Sequence, residues 1–288
     1  MSRFGNRLGS VALSVILSCF AVQTAETAEV APDLKRKINI AGKQRMLSQR
    51  MARAVCFSSR DVMARQNDDI ARLAEAAFDS ALDGLRNGDG DLGIRREANA
   101  AVLAELDRVD ALWPDYMVAL QAVADDPSRL GEVAVRSLDI LTAANDVVLA
   151  LEASAIGSTV SEELARMINI AGRQRMLTQR AAKEYCLIAA GIDVPAQRAA
   201  LARTVALFDQ SLNGLLEGDD DMGLLAAPDE IIQLQLEYVR DLWMPVRSQL
   251  QRVIDGLPVN DIGLQTVAAN IDSVLKAADE AVWLYENI

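Results

Sequence analysis

The sequence predicts an all-α protein built from two tandem up-and-down four-helix bundles. The 288-residue chain is 51% apolar but only 4% aromatic, a balance typical of helices rich in alanine and leucine. Residues 38–50 (INIAGKQRMLSQR) return as residues 168–180 (INIAGRQRMLTQR), so the chain contains an internal repeat. Each copy also contains four stretches with apolar residues at helical spacing, separated by short clusters of helix breakers.

The repeat covers whole modules rather than one motif. The same shift of 130 positions relates several further pairs of residues along the chain. These pairs are Cys56 and Cys186, Phe78 and Phe208, Gly84 and Gly214, Gly88 and Gly218, Gly93 and Gly223, and Trp113 and Trp243. We therefore predict a first module at residues 29–157 and a second module at residues 158–288, related by a pseudo-twofold axis.

The first 28 residues have the pattern of a secretory signal peptide. Arg3 and Arg7 precede an uncharged stretch at residues 8–25 that is too short for a comfortable membrane span. Residues 16–19 (ILSC) fit a lipobox, in which the thiol of Cys19 is lipidated after cleavage. The alternative is an ordinary signal peptide. Both alternatives predict export to the periplasm, and only the first predicts a lipid anchor.

Breaker clusters divide each module into four helices. They lie at residues 57–61, 87–93 and 125–128 in the first module and at 191–195, 218–228 and 256–261 in the second. The seven prolines are expected near helix ends. Thr159, followed by Glu162 three residues later, offers a capping box for the fifth helix. We therefore expect a tight hairpin between the fourth and fifth helices.

Charge and composition exclude several classes of function. The net charge of −12 argues against nucleic acid as a partner, because no broad basic face offsets phosphate repulsion. Histidine is absent, which removes the usual general base and the usual metal ligand. The acidic segments at 88–91 (GDGD) and 218–221 (GDDD) lack the ligand spacing of an EF-hand and are predicted turns. We expect a binding protein without cofactor or metal, and not an enzyme.

The repeated motif places a narrow stripe of residues on the first helix of each module, at spacings of three and four. The first stripe consists of Ile38, Ala41, Gly42, Arg45, Gln49, Ala52 and Cys56. The second stripe consists of Ile168, Ala171, Gly172, Arg175, Gln179, Ala182 and Cys186. If the stripes face each other, their small residues permit close approach and the two arginines converge on the axis. A small planar oxyanion would offset the repulsion between the guanidiniums.

The arginines also have a simpler interpretation. A mid-helix arginine is commonly solvated or paired with an acid, so Arg45 and Arg175 could instead belong to ion pairs within the bundles. Four further cations lie off the stripes and are secondary candidates, which either shape the field or pair with bundle acids. They are Lys43, Arg50, Arg173 and Arg180.

Two more pairs of motif residues leave alternatives open. We call the predicted contact between the two stripes the seam. Asn39 and Asn169 either bond across this seam and fix its register or are surface residues near the helix start. Cys56 and Cys186 lie about three helical turns after their motif arginines. In an oxidising compartment they would bridge the two stripes. Otherwise each is a small buried residue of its own bundle.

The motif resembles the sensor domain of type IV pilus methyl-accepting chemotaxis proteins, the PilJ-type domain. It is also similar to the periplasmic sensor helix of nitrate and nitrite sensor histidine kinases. The resemblance implies a four-helix module that pairs through its first helices and holds one small oxyanion between them, typically nitrate. It implicates the motif's glycine and first arginine, which are Gly42 and Arg45 in the first copy and Gly172 and Arg175 in the second. The chain departs from these receptors in having two tandem modules and no membrane-spanning output.

We therefore expect a periplasmic sensor that binds nitrate, nitrite or a similar oxyanion between its two first helices. It would present the bound state to a membrane-bound receptor, kinase or transporter. Pairing within one chain is expected, with a homodimer as the alternative. The alternative function is a helical adaptor, or a lipid-anchored interaction protein of an envelope receptor, pilus or transport system. Such a protein would show no stabilisation by anions.

Overall fold

The computed structural model describes residues 18–156 and 160–288, with side chains from residue 32 onward. Most of the predicted signal peptide, the side chain of Cys19 and Thr159 lie outside these residues. The helices are α1 (Ser18–Ser58), α2 (Ala64–Asn87), α3 (Ala100–Asp125), α4 (Leu130–Ala153), α5 (Glu162–Ala189), α6 (Val194–Glu217), α7 (Glu230–Ile254) and α8 (Asp261–Glu286). The predicted all-α class is confirmed. None of the described helices combines the length and apolar character needed to cross a membrane.

Two four-helix bundles, α1–α4 and α5–α8, pack side by side through their first helices. Among the described elements, α1 and α5 make the most extensive contact, and each also packs against the second and fourth helices of its own bundle. Buried side chains from both bundles form one contiguous apolar core. The repeated motif therefore lies at the centre of the molecule, on the two helices that join its halves.

The helix breaks fall within or next to the predicted clusters. After α2, a short hairpin pairs β1 (Gly88–Asp89) with β2 (Ile94–Arg95). Gly88 ends α2 with a φ of +86°, a backbone conformation that is costly for residues with a side chain. The side chain of Asp89 then accepts hydrogen bonds from the main-chain N–H groups of Asp91 and Leu92. The prediction that this acidic segment is a turn is confirmed.

The predicted start of α5 is wrong by two residues. Ser161 is the N-cap, and its side chain accepts a hydrogen bond from the N–H of Leu164. Glu162 and Glu163 then occupy the first turn, where negative charge is stabilised by the helix dipole. The capping box predicted at Thr159 was misleading because Glu162 already belongs to the first turn set by Ser161.

The sequence had suggested that prolines lie near helix ends, but three of them lie inside helices. Pro32, Pro114 and Pro245 lie inside α1, α3 and α7. An internal proline removes one hydrogen bond of the helix, so packing must hold the two halves in line. Such packing is present beside two of them, where Trp113 contacts Phe78 and Trp243 contacts Phe208, with ring centroids 4.1 and 4.2 Å apart.

Candidate functional site

The two predicted stripes face each other along the contact between α1 and α5. All their residues are buried, and Arg45 and Arg175 are 0% exposed. Both guanidiniums lie beside both motif glycines. A Cβ built on Gly42 would stand 3.1 Å from Nη2 of Arg175 and 3.4 Å from Nη2 of Arg45. The corresponding distances at Gly172 are 3.2 and 3.6 Å. The absence of side chains at the two glycines therefore makes room for the two arginines.

Each arginine is held by an asparagine of the opposite first helix. Nη1 of Arg45 donates to Oδ1 of Asn169 at 2.8 Å, and Nη2 donates to the main-chain oxygen of Asn169 at 3.2 Å. Arg175 reciprocates with Asn39, at 2.8 Å to Oδ1 and 3.1 Å to the main-chain oxygen. Of the two alternatives drawn from the sequence for these asparagines, the structure has the bond across the seam.

The fourth helix of each bundle supplies a further acceptor. Nη1 of Arg45 donates to Oδ1 of Asn145 on α4 at 3.1 Å, whereas Nη1 of Arg175 donates to Oδ1 of Asp279 on α8 at 2.5 Å. Asn145 and Asp279 each follow a pair of alanines on equivalent helices. The site is therefore symmetric in shape, but it has a neutral amide in one half and a carboxylate in the other.

Sequence reasoning missed the residues that α4 and α8 contribute. Beyond the third helix, equivalent residues are shifted by 134 positions instead of 130, as Asn145 and Asp279 are. Glu152 and Glu286 have the same relationship, and they accept hydrogen bonds from Asn169 and Asn39 respectively. The signal that could have revealed the new shift is residues 143–145 (AAN), which return as residues 277–279 (AAD).

The charges of the two arginines are unequally compensated. Burial lowers the pKa of Arg45 to about 9, and the positive charges of Arg173 and Arg175 act in the same direction. Burial also lowers the pKa of Arg175, but the charge of Asp279 opposes it. Partial burial acts to raise the pKa of Asp279, yet Arg175 and Lys43 outweigh it and hold that pKa below its usual value. Of the two arginines, Arg175 alone donates to a carboxylate.

Each arginine also has an unused donor. Among the described residues, the Nε–H groups of Arg45 and Arg175 are buried and have no hydrogen-bond acceptor. Nε and the neighbouring Nη2 form one edge of the planar guanidinium, and this kind of edge binds planar oxyanions through two parallel hydrogen bonds. Each of the two buried cations beside the glycines thus keeps a donor that no described residue satisfies.

Two stretches of the chain, residues 33–137 and 157–262, match the family model described as the type IV pili methyl-accepting chemotaxis transducer N-terminal domain, PilJ. The chain belongs to the PilJ family. The predicted resemblance to the PilJ-type domain and the tandem arrangement are thus confirmed, with one match in each half of the chain. PilJ domains are sensor domains of chemotaxis transducers and are typically extracytoplasmic. No curated protein matches the chain significantly.

All four secondary candidates from the PilJ motif lie near acids. The ion pairs are Lys43 with Asp279 at 3.6 Å, Arg50 with Asp272 at 3.4 Å, and Arg180 with Glu184 at 2.8 Å. Burial lowers the pKa of Arg173, while the charge of Glu152 opposes this effect. Lys43 and Arg173 therefore lie beside the arginine pair, whereas Arg50 and Arg180 pair with acids further along the helices.

Cys56 and Cys186 form a disulfide bond that joins α1 to α5, with their Cα atoms 6.2 Å apart. Of the two alternatives drawn from the sequence, the structure thus has the bridge. Both cysteines are fully buried. The bond lies roughly 16 Å along the helices from the motif arginines, at 1.5 Å per residue. The two PilJ modules are therefore crosslinked on the helices that carry the site.

A second buried polar cluster lies one turn from the disulfide. Lys183 on α5 donates to Oε1 of Gln49 at 2.7 Å and to Oγ of Ser137 at 3.0 Å. Burial lowers the pKa of Lys183 to about 8. The equivalent residue of the first module, Arg53, donates instead to the carboxylate of Asp272. Here too, one of two equivalent buried cations donates to a carboxylate and the other donates to neutral acceptors.

Proposed function

We propose that this protein is an exported sensor whose two PilJ modules together bind one small inorganic oxyanion, nitrate or nitrite, between α1 and α5. One observation carries the proposal. Arg45 and Arg175 are fully buried, lie beside Gly42 and Gly172, and each keeps an Nε–H without an acceptor among the described residues. A buried donor without a partner is costly, and an anion would satisfy both donors at once.

The energetics of the arginine pair support the same function. Two like charges in a buried site repel and lose hydration, so the free protein carries an electrostatic cost that an anion reduces. The forked geometry of guanidinium matches the planar oxygens of nitrate better than a lysine ammonium would. The short distances between the guanidiniums and the glycines favour a small inorganic anion over a bulky organic one.

Anion binding at this position would act on the contact between the two bundles. The anion would attract one arginine from each module, and α1 and α5 would then be held more tightly together. A difference in this contact is a state that a membrane-bound receptor, kinase or transporter could recognise. We infer export from the signal peptide pattern of the first 28 residues.

Thermal unfolding tests the proposal. We expect nitrate or nitrite at micromolar concentration to raise the unfolding midpoint of the mature protein, because a ligand of the folded state stabilises it. Chloride and sulfate serve as comparison anions. The Arg45→Met/Arg175→Met variant removes two buried like charges and leaves Lys43 to pair with Asp279, so it should fold, but it should not respond to nitrate. The matched control is Arg53→Met, an equally buried arginine of α1 outside the site.

A helical adaptor is the second candidate function. An exposed apolar stripe on α7 favours it, since Ile231, Leu234 and Tyr238 lie on one face and are more than half exposed. The same titration separates the two functions. If no anion moves the unfolding midpoint of the wild-type protein, anion sensing is wrong and the adaptor becomes the better account.

A further inference from the structure

The two halves of the arginine site differ by one negative charge. Arg45 donates to side-chain acceptors that are neutral amides, those of Asn145 and Asn169. Arg175 donates to the amide of Asn39 and to the carboxylate of Asp279. Since the helices otherwise place equivalent residues at equivalent positions, the exchange of amide for carboxylate is the main electrostatic asymmetry in direct contact with the arginines.

Asp279 is placed so that it can remain bound while a ligand enters. It contacts Nη1 of Arg175, whereas the free donor is Nε and the atom next to the glycines is Nη2. An anion on the edge formed by Nε and Nη2 would therefore not need the position of the carboxylate. Asp279 is also held by Lys43, at 3.6 Å. It acts as a fixed counterion and not as a competitor for the ligand.

Four of the outer charges cancel in pairs. Glu152 and Glu286 contact the site asparagines and not the arginines, and each faces an exposed arginine, Arg166 at 3.8 Å and Arg36 at 3.9 Å. Lys43 and Arg173 add positive charge nearby, from partly exposed side chains. The hydrogen-bonded centre itself consists of two guanidiniums and one carboxylate and has one positive charge in excess. A monovalent anion would neutralise it. A divalent anion would leave a net negative charge in a buried position, which is unfavourable.

We propose that Asp279 determines the charge class of the ligand: its carboxylate offsets one of the two buried arginine charges, so the site accepts a monovalent oxyanion and discriminates against a divalent one. This inference rests on the proposed function, because it concerns the selectivity of the same anion site. It assigns a specificity-determining role to a residue outside the repeated motif.

The test uses reciprocal variants that exchange the two side chains. Asp279→Asn gives both halves the neutral amide, and Asn145→Asp gives both halves the carboxylate. Nitrate and sulfate affinities are measured by calorimetric titration of the mature, disulfide-bonded protein at constant ionic strength. Asp69→Asn is the matched control, because it removes one negative charge from a side chain of α2 that is 68% exposed.

We expect Asp279→Asn to raise nitrate affinity by about tenfold and sulfate affinity by about a hundredfold, since a Coulomb energy scales with the charge of the ligand. Asn145→Asp should weaken nitrate binding by a similar factor, and Asp69→Asn should change neither affinity by more than about twofold. The inference is overturned if Asp279→Asn binds nitrate as the wild type does, or if sulfate gains no more than nitrate.

The outcomes also separate this inference from the proposed function. If the wild type binds nitrate and Asp279→Asn behaves identically, anion sensing stands and the role of Asp279 is wrong. If only Asp279→Asn binds an anion, the carboxylate blocks the site and does not select its ligand, so the inferred selectivity and the proposed function are both wrong. If no variant binds any anion, both are wrong.

Discussion

Arg45 on α1 and Asn169 on α5 are joined by a hydrogen bond of 2.8 Å across 124 residues of sequence. Arg175 and Asn39 form the equivalent bond under the pseudo-twofold axis, also at 2.8 Å. Each module therefore contributes one buried arginine and one asparagine. The asparagine of each module accepts a hydrogen bond from the arginine of the other. Separating the bundles would leave both guanidiniums without these partners, so the contact between α1 and α5 is specific as well as apolar.

Loss of one crossing acceptor should destabilise the folded protein. We expect Asn169→Ala to lower the free energy of unfolding by about 2 kcal/mol, because the buried guanidinium of Arg45 loses one of its two side-chain acceptors. Urea unfolding measures the change. Asn270→Ala on the exposed face of α8 is the control and should stay within about 0.5 kcal/mol of the wild type. Equal stabilities for the two variants would contradict the importance of the crossing bond.

A side chain at a motif glycine should impair binding more than folding. In Gly42→Ala the new Cβ would meet Nη2 of Arg175 at 3.1 Å and displace the guanidinium. We expect nitrate affinity to fall at least about tenfold, while the gain in helix propensity, about 1 kcal/mol, limits the loss of stability. Gly131→Ala, where a Cβ meets nothing within 4 Å, is the control. Unchanged nitrate binding by Gly42→Ala would place the anion elsewhere.

Removing the disulfide should destabilise the protein strongly. The bond between Cys56 and Cys186 closes a loop across a sequence separation of 130 residues. We expect Cys56→Ala/Cys186→Ala to lower the free energy of unfolding by about 3 to 5 kcal/mol, because a long loop gains much entropy when it opens in the unfolded chain. Reductant should destabilise the wild type during denaturant unfolding and leave the double variant unaffected. A loss below about 1 kcal/mol would show that the seam holds the modules without the bond.

Lys183 should make stability depend on pH in the mildly alkaline range. Its pKa in the folded protein is about 8, against an ordinary value of 10.5, so between these values the unfolded chain binds more protons than the folded one. The free energy of unfolding should therefore rise with pH. We expect a gain of about 2 kcal/mol from pH 7 to pH 9.5, relative to Lys183→Met.

Lys183→Gln is the control for this prediction, because it keeps a polar side chain at this position but has no group that titrates. Both variants should lack the rise that the wild type shows. Denaturant unfolding at several pH values with the disulfide intact gives the three curves. Parallel curves for all three proteins would mean that Lys183 keeps its proton in the folded state up to pH 9.5.

Periodicity in the sequence was sufficient to predict the helices, the tandem modules and the facing stripes. Spacings of three and four brought Gly42, Arg45 and Cys56 onto one face, and the repeat brought Gly172, Arg175 and Cys186 opposite them. This worked because an α-helix converts sequence spacing directly into a face. The same argument does not extend across loops, where spacing no longer fixes position.

Residues from the fourth helices therefore escaped prediction. Asn145 and Asp279 reach the arginines through tertiary packing, and their shift of 134 positions differs from the 130 of the motif. Helix starts and internal prolines were missed for a related reason. Competing caps such as Thr159 and Ser161 differ little in local preference, and packing decides where a helix ends or whether it continues past Pro114 or Pro245.

The fusion of two modules in one chain allows the two halves of the site to mutate independently. In a homodimer, a residue near the twofold axis occurs twice, so a single codon change would place a carboxylate beside both arginines. In this chain Asp279 stands beside Arg175 alone, while Asn145 stands beside Arg45. Tandem fusion thus allows the charge of a shared site to change by one unit, a step that the symmetry of identical subunits forbids.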